Sequence, residues 1–198
     1  MAITNGYCTL DEIKSYQGIG DSDSDALLEQ AVEAASRTID DHCHRTFYQV
    51  TGARYFSPVH PTAIYIDDHT VITEIALDTA GDNTYATVVP TADYISTPRN
   101  HPLGAYTYTG VRILPTSTHA FARVLDYIRV TGTWGWSAIP DVIHQAALTL
   151  AAKIYHRKDA VFGVTGGDFT GDVMRIIGID GDVEEMLRAY VRVAEWVA

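Results

Sequence analysis

A chain of 198 residues that is 46% hydrophobic and 20% charged can build one globular domain with its own core, which excludes wholesale disorder. Its formal net charge of −11, from 14 basic and 25 acidic residues, argues against a protein that grips nucleic acid by displacing phosphate counterions. It is compatible with a conduit, because an acidic wall repels the phosphate backbone of passing DNA.

Two cysteines, Cys8 and Cys43, match no paired metal spacing, so free thiols in a reducing compartment are expected. No apolar run approaches the ~18 residues of a membrane span. The start, Met1-Ala2-Ile3-Thr4-Asn5, lacks the basic and apolar regions of a signal peptide. A soluble protein made in the cytoplasm, with no membrane partner, is the expectation.

The first helix signal is Thr9-Leu10-Asp11-Glu12, a capping box that predicts a short helix to about Gln17, stopped by Gly18. A longer helix starts near Ser22 or Ser24, with Leu28, Val32, Ala35, Ile39 and Cys43 on one face. From Thr46 the composition turns to Val, Ile, Thr and Tyr. Runs at 63–66, 71–77, 85–89, 106–114 and 125–131, separated by turn clusters, predict antiparallel β-structure over about residues 46–136. Ile128 and Val130 alternate with Tyr127, Arg129 and Thr131, so that strand has one wet face.

Pro140 opens a helix over Asp141 to Asp159 whose wide apolar stripe predicts packing on more than one side. Gly163 to Gly171 read as a glycine-rich loop, and Val173 to Ile179 as a short strand. Asp182-Val183-Glu184-Glu185 reads as a second capping box, opening a last helix to about Trp196. The fold class is α+β: a helical core from both ends of the chain, about residues 7–45 and 138–198, with a β insertion of about 46–136, forming one domain over 1–198.

The polar residues carry no catalytic signature. Asp40-Asp41-His42-Cys43-His44 has metal-ligand chemistry, but consecutive helical residues diverge, and Cys43 continues the apolar face. No catalytic, cofactor-binding or metal-ligating residue is assigned, and no cofactor is expected. Asp168 and Asp172 would repel a phosphate from the glycine-rich loop, which also lacks a P-loop lysine. Trp134, Trp136 and Trp196 read equally as interface anchors or core. The candidate interface residues are Gly166, Gly167, Phe169, Met186, Tyr190 and Trp196.

Three stretches carry a family resemblance. They are Tyr7-Cys8-Thr9-Leu10-Asp11-Glu12-Ile13-Lys14; the small-residue helix Leu27 to Asp40, followed by Cys43-His44-Arg45-Thr46-Phe47-Tyr48; and Gly132-Thr133-Trp134-Gly135-Trp136, followed by Ile139-Pro140-Asp141-Val142 and an Ala-rich helix. In order and spacing they resemble the head-to-tail connector (adaptor, or head completion) proteins of tailed bacteriophages. The resemblance covers about the first 48 residues and roughly residues 125–163; in the middle β region no nameable motif carries it.

The resemblance implies a non-enzymatic virion protein of the neck, made in the host cytoplasm. It would form a homo-oligomeric ring, usually a dodecamer, between the portal and a tail-side or stopper protein, and continue the DNA channel without specific DNA binding. The loop from Gly163 to Gly181 and the last helix are expected to reach a neighbour or the portal, with residues 182–198 dispensable for folding. Three other readings remain: another neck or tail completion protein; a metal-dependent hydrolase, which needs converging ligands around His42 or His44; and a regulatory DNA-binding protein, which the charge disfavours.

Overall fold

The structure is a computed structural model that describes residues 3–100, 107–157 and 181–192. Among these are four α-helices and six strands, an α+β fold. The chain divides into two compact units, one of residues 1–44 with 139–198 and one of residues 45–138.

In the helical unit, α1 spans Leu10–Gln17 and α2 Asp25–Cys43. The α1 capping box forms, with the Glu12 N–H donating to the Thr9 hydroxyl and the Glu12 carboxylate accepting from the Thr9 N–H at 2.7 Å. Gly18 closes the helix at φ 69°, a left-handed conformation that suits glycine. α2 is capped by His44, also left-handed at φ 51°, with its N–H donating to the Asp40 carbonyl. α3 spans Asp141–His156, and the wide stripe is buried on both rows: Ile143, Ala147 and Ala151 with Ala146 and Leu150.

These alanines let α3 pack closely against α2, α1 and α4 (Gly181–Leu187). Val183 and Leu187 of α4 are fully buried, so part of the segment expected to be dispensable for folding contributes to the core. Asp182 lies in the first turn of α4 instead of capping it, and a 3-10 turn, Arg188–Tyr190, follows. The strand expected at 173–179 and the glycine-rich loop lie outside the described residues.

The β unit is one antiparallel sheet. Its strands are β1 Val50–Phe56, β2 Ala63–Leu77, β3 Thr87–Val89, β4 Tyr94–Thr97, β5 Tyr108–Ile113 and β6 Ile128–Trp134. The order is β1-β6-β2-β5-β4, with β3 also on β2. The runs at 63–66 and 71–77 are two halves of a single strand. The first half pairs with β5, and the second with β6 and β3. Register shifts between Tyr65 and His69 and between His69 and Val71 let one strand serve both halves.

The core of the unit gathers Ile64, Ile75, Leu77, Val111, Ile128, Val130 and Trp134 on one face. The other face presents Thr51, Ala53 and Tyr55 opposite Thr133, Thr131 and Arg129. Leu125, Asp126 and Tyr127 precede β6 instead of belonging to it, because Asp126 turns the chain at φ 51°.

Candidate assembly surface and its supporting node

Two of the stretches that carry the resemblance meet in the β unit. Arg45 Nη1 lies 3.3 Å from both oxygens of Asp68. Trp136 Nε1 donates to Asp68 Oδ2 at 3.0 Å, and Gly135 N–H donates to the Asp68 backbone carbonyl at 2.7 Å. Phe47 packs on Trp136 with ring centroids 5.3 Å apart. Asp68 is buried, so its charge is tolerated because a cation and an indole N–H satisfy it.

Gly135 sits at φ 93°, and a Cβ there would collide with the Tyr48 carbonyl oxygen. A Cβ on Gly132 would meet the Val71 carbonyl. The motif Gly132-Thr133-Trp134-Gly135-Trp136 is thus explained. Its glycines admit neighbouring backbone, Trp134 Nε1 donates to the Gly52 carbonyl at 2.8 Å, and Trp136 reads Asp68. Both tryptophans belong to the core.

Asp68 itself went unread in the sequence. Its signal was an acidic pair, Asp67-Asp68, interrupting the apolar run of β2. Asp67 pairs with Arg54, whose guanidinium lies 4.7 Å over the Trp134 ring.

His69, next in line, is fully buried. Its Nδ1 is 3.1 Å from the Asp67 carbonyl and its Nε2 3.1 Å from Ser96 Oγ. A carbonyl only accepts, so Nδ1 carries the proton and Nε2 accepts from the serine hydroxyl. Burial holds the ring below the usual imidazole range, hence neutral.

In the helical unit, residues 3–9 are pinned along α2. The Tyr7 N–H donates to Ser36 Oγ at 3.0 Å, the Tyr7 hydroxyl donates to Asp40, and Arg37 Nη2 donates to the Asn5 carbonyl at 2.8 Å. Burial pushes the Asp40 carboxyl up to about 6, against the opposing pull of Tyr7 and Arg37. Glu12 is held below the usual carboxylate range by the Thr9 backbone N–H and by His144, whose Nε2 is 3.2 Å away.

Ser117, His119 and Asp93 lie together, but the Ser117 hydroxyl donates to Asp93 Oδ2 at 2.9 Å, and His119 Nδ1 faces the same oxygen at 3.2 Å. A serine nucleophile needs a histidine nitrogen that accepts its proton while the other nitrogen faces the acid. Here the carboxylate holds the serine proton and staples the turn before β4 to the loop after β5. Cys43 points into the core, and among the described residues no group of three His, Cys, Asp or Glu side chains converges as metal ligands. Burial, with Glu12 nearby, pushes the Cys8 thiol up to about 12, so it is inert.

What the described surface offers is contact area. Met186 is exposed beside buried Val183 and Leu187, and Tyr190 is half-buried. Gly166, Gly167, Phe169 and Trp196 lie outside the described residues. Sequence reading missed Val59, Val124 and Leu125, which stand out at one end of the β unit, and Tyr16 and Leu27 on the helical unit.

Among the described residues, the basic side chains of Lys14, Arg37, Arg45, Arg54, Arg129 and Arg188 are committed to carboxylates. The charge is also segregated. Residues 1–44 and 139–198 hold 18 acidic and 8 basic residues, a net −10, whereas 45–138 hold 7 and 6, a net −1. No helix among the described residues is long and apolar enough to cross a membrane.

No curated protein matches the chain. Among the solved structures that match its fold, three are matched over 98% of this chain and 95% of theirs. They are the neck of a native gene transfer agent (GTA) particle computed with C12 symmetry (17% identity, TM-score 0.59), the neck of an empty GTA particle computed with C6 symmetry (17%, 0.55), and the virion of a native GTA particle (18%, 0.55). Residues 7–77, from Tyr7 through α1, α2, Arg45 and Asp68 to the end of β2, match the family model of phage gp6-like head-tail connector proteins, so the resemblance read from the sequence holds over residues 7–48, and the match continues through β1 and β2, where the sequence reading found no motif.

Proposed function

We propose that this chain is a structural subunit of a tailed virion or phage-like particle, a head-to-tail connector of the neck. As a single connector domain over 1–198, it would form a ring between portal and tail-side protein and continue the DNA channel. The observation that carries the reading is the connector-family match over residues 7–77, which covers α1, α2, Arg45 and Asp68. Support comes from the near-complete fold correspondence with chains from neck structures, one solved with twelvefold symmetry.

The charge distribution fits the role. A channel wall must let DNA slide, and repulsion of phosphates does so while paired cations leave little to grip it. The reading is non-enzymatic, and its support is that the family model and the structures whose fold the chain matches are of connector and neck proteins. Candidate contacts with neighbour or portal are Met186 and Tyr190, together with Gly166, Gly167, Phe169 and Trp196.

The test is to mix purified protein with purified portal ring and image the product by electron microscopy. A second ring stacked coaxially on the portal is expected. No complex from well-folded protein would overturn the connector role in favour of another neck or tail completion component. Because α4 contributes to the core, the portal contact is probed by Met186→Asp and not by deleting 182–198. Lost stacking with an unchanged melting temperature is the expected result.

A further inference from the structure

Where β1 ends and β6 begins, two loops lie side by side. Residues 57–62 and 120–127 are tied by the Asp126 N–H donating to Ser57 Oγ at 2.9 Å and the Phe121 N–H donating to the Pro61 carbonyl at 2.8 Å. Together they expose Val59, Val124 and Leu125, the last at 81%. Such aliphatic exposure on adjacent loops marks a contact site.

The tip is rigid. Asp126 is held in a left-handed conformation that costs a non-glycine residue energy, and both its backbone polar groups are engaged. Its N–H goes to Ser57, and its carbonyl accepts from the Tyr85 hydroxyl at 2.7 Å. Leu125 is thereby presented as a fixed knob, which lowers the ordering cost of docking. Val50 and Trp134, beside the two places where the chain passes to the helical unit, lie at the opposite end of β1 and β6. The tip therefore sits about 20 Å of strand away from Val50 and Trp134.

Its charge identifies the occupant. No acidic residue occurs from Ser57 to Ile66 or from Tyr94 to Leu125, and exposed Arg123 and His60 flank the tip. The chain's own acid is concentrated in the helical segments. There, at the corner between α1 and α2 pinned by the Lys14–Asp25 ion pair of 2.7 Å, Tyr16 and Leu27 are each about half exposed beside exposed Asp21 and Asp23.

We propose that the Val59–Val124–Leu125 tip docks on the α1–α2 corner of a second copy of this chain, with Arg123 toward Asp21 and Asp23. This rests on the ring reading above and gives the ring its head-to-tail contact. Two different patches on one chain make a heterologous interface, the kind that closes into rings. The tip covers only a few hundred Å². That is less than the roughly 800 Å² per partner of a stable complex, so free copies stay apart until a template concentrates them.

The experiment uses the full chain alone. Leu125→Cys protein is mixed with tagged Leu27→Cys protein at high concentration and oxidised. Wild type is the blank, since Cys8 and Cys43 are buried. A mixed disulfide dimer is expected to form at least tenfold faster than any dimer of either variant alone. Arg123→Glu in the first copy should slow it about tenfold, and Asp23→Arg in the second should restore it. A dimer from Leu125→Cys alone would overturn the proposal by showing tip-to-tip pairing. Absence of the mixed dimer, with variants that melt like wild type, would also overturn it and leave the tip to a different protein or a lipid surface. Stacked rings in the portal images alongside that absence would show that the connector role stands without this contact.

Discussion

Where the helices meet, small residues such as Ala146, Ala147 and Ala151 do the packing, and a neighbour on the same stripe offers nearly the same surface. In the β unit, Gly132, Gly135 and Asp68 each hold a place that another residue fills only at a cost. The helical unit also carries almost all the net charge on an exterior pinned by polar contacts, whereas the nearly neutral β unit buries Asp68 and His69 within its packing. A helix is specified by a repeating pattern and tolerates local change. A sheet whose strands come from distant parts of the sequence depends on a few points of close approach.

That contrast predicts its own extremes. Gly135→Val, which forces a side chain into the Tyr48 carbonyl at a left-handed position, should cost about 4 kcal/mol or more and unfold the β unit. Loss of Trp fluorescence from buried Trp134 and Trp136 and of strand dichroism would report it. Asp68→Ala should cost about 3–5 kcal/mol in chemical denaturation, because it strands Arg45 and the Trp136 N–H. Adding Arg45→Met should recover part of that loss. If it recovers none, the Arg45–Asp68 pair is not the reason for the cost.

On the helical side, Ile143→Ala should cost about 3 kcal/mol by leaving a cavity beneath α3. Thr9→Ala should cost about 1 kcal/mol, since it removes the hydroxyl that caps α1 and leaves Glu12 with half of its capping box. A Thr9→Ala cost comparable to that of Asp68→Ala would break the contrast between the units.

The helical elements were the legible part of the fold. Thr9, Glu12 and Gly18 bracket α1, and the spacing from Leu28 to Cys43 sets the buried face of α2, because these signals are local. The β unit was legible as strands but not as a sheet. The Asp67-Asp68-His69-Thr70 break looked like a gap between two strands, since nothing local says that Arg45, Trp136 and Ser96, each more than twenty residues away, satisfy those groups. Leu125 looked like a strand residue for a similar reason. Only the tertiary ties from Ser57 and Tyr85 to Asp126 reveal the turn that exposes it. The assembly surface was the least legible, because exposure depends on the whole fold while sequence records only hydrophobicity.

Two titratable groups shifted by burial, half-buried Asp40 and fully buried His69, give the comparison its finest test, because their signs are opposite. Burial raises Asp40 from 3.8 to about 6, so the folded helical unit holds a proton that the unfolded chain releases. That contribution is fully present below pH 3.8 and is lost as pH rises through about 6. With solvent screening it is worth on the order of 1 kcal/mol. Asp40→Asn should therefore flatten the stability profile between those limits. His69 is held below its ordinary 6.5, so the unfolded chain binds the proton first and the β unit loses stability as pH falls below 6.5. Nitrogen-15 NMR should find the Nδ1–H tautomer of His69 still neutral when exposed histidines have protonated. Acidification from pH 7 to 5 should then weaken hydrogen-exchange protection in β2 and β6 relative to α2. Equal loss in both units would mean that general charge repulsion, rather than these two buried groups, governs the response to acid.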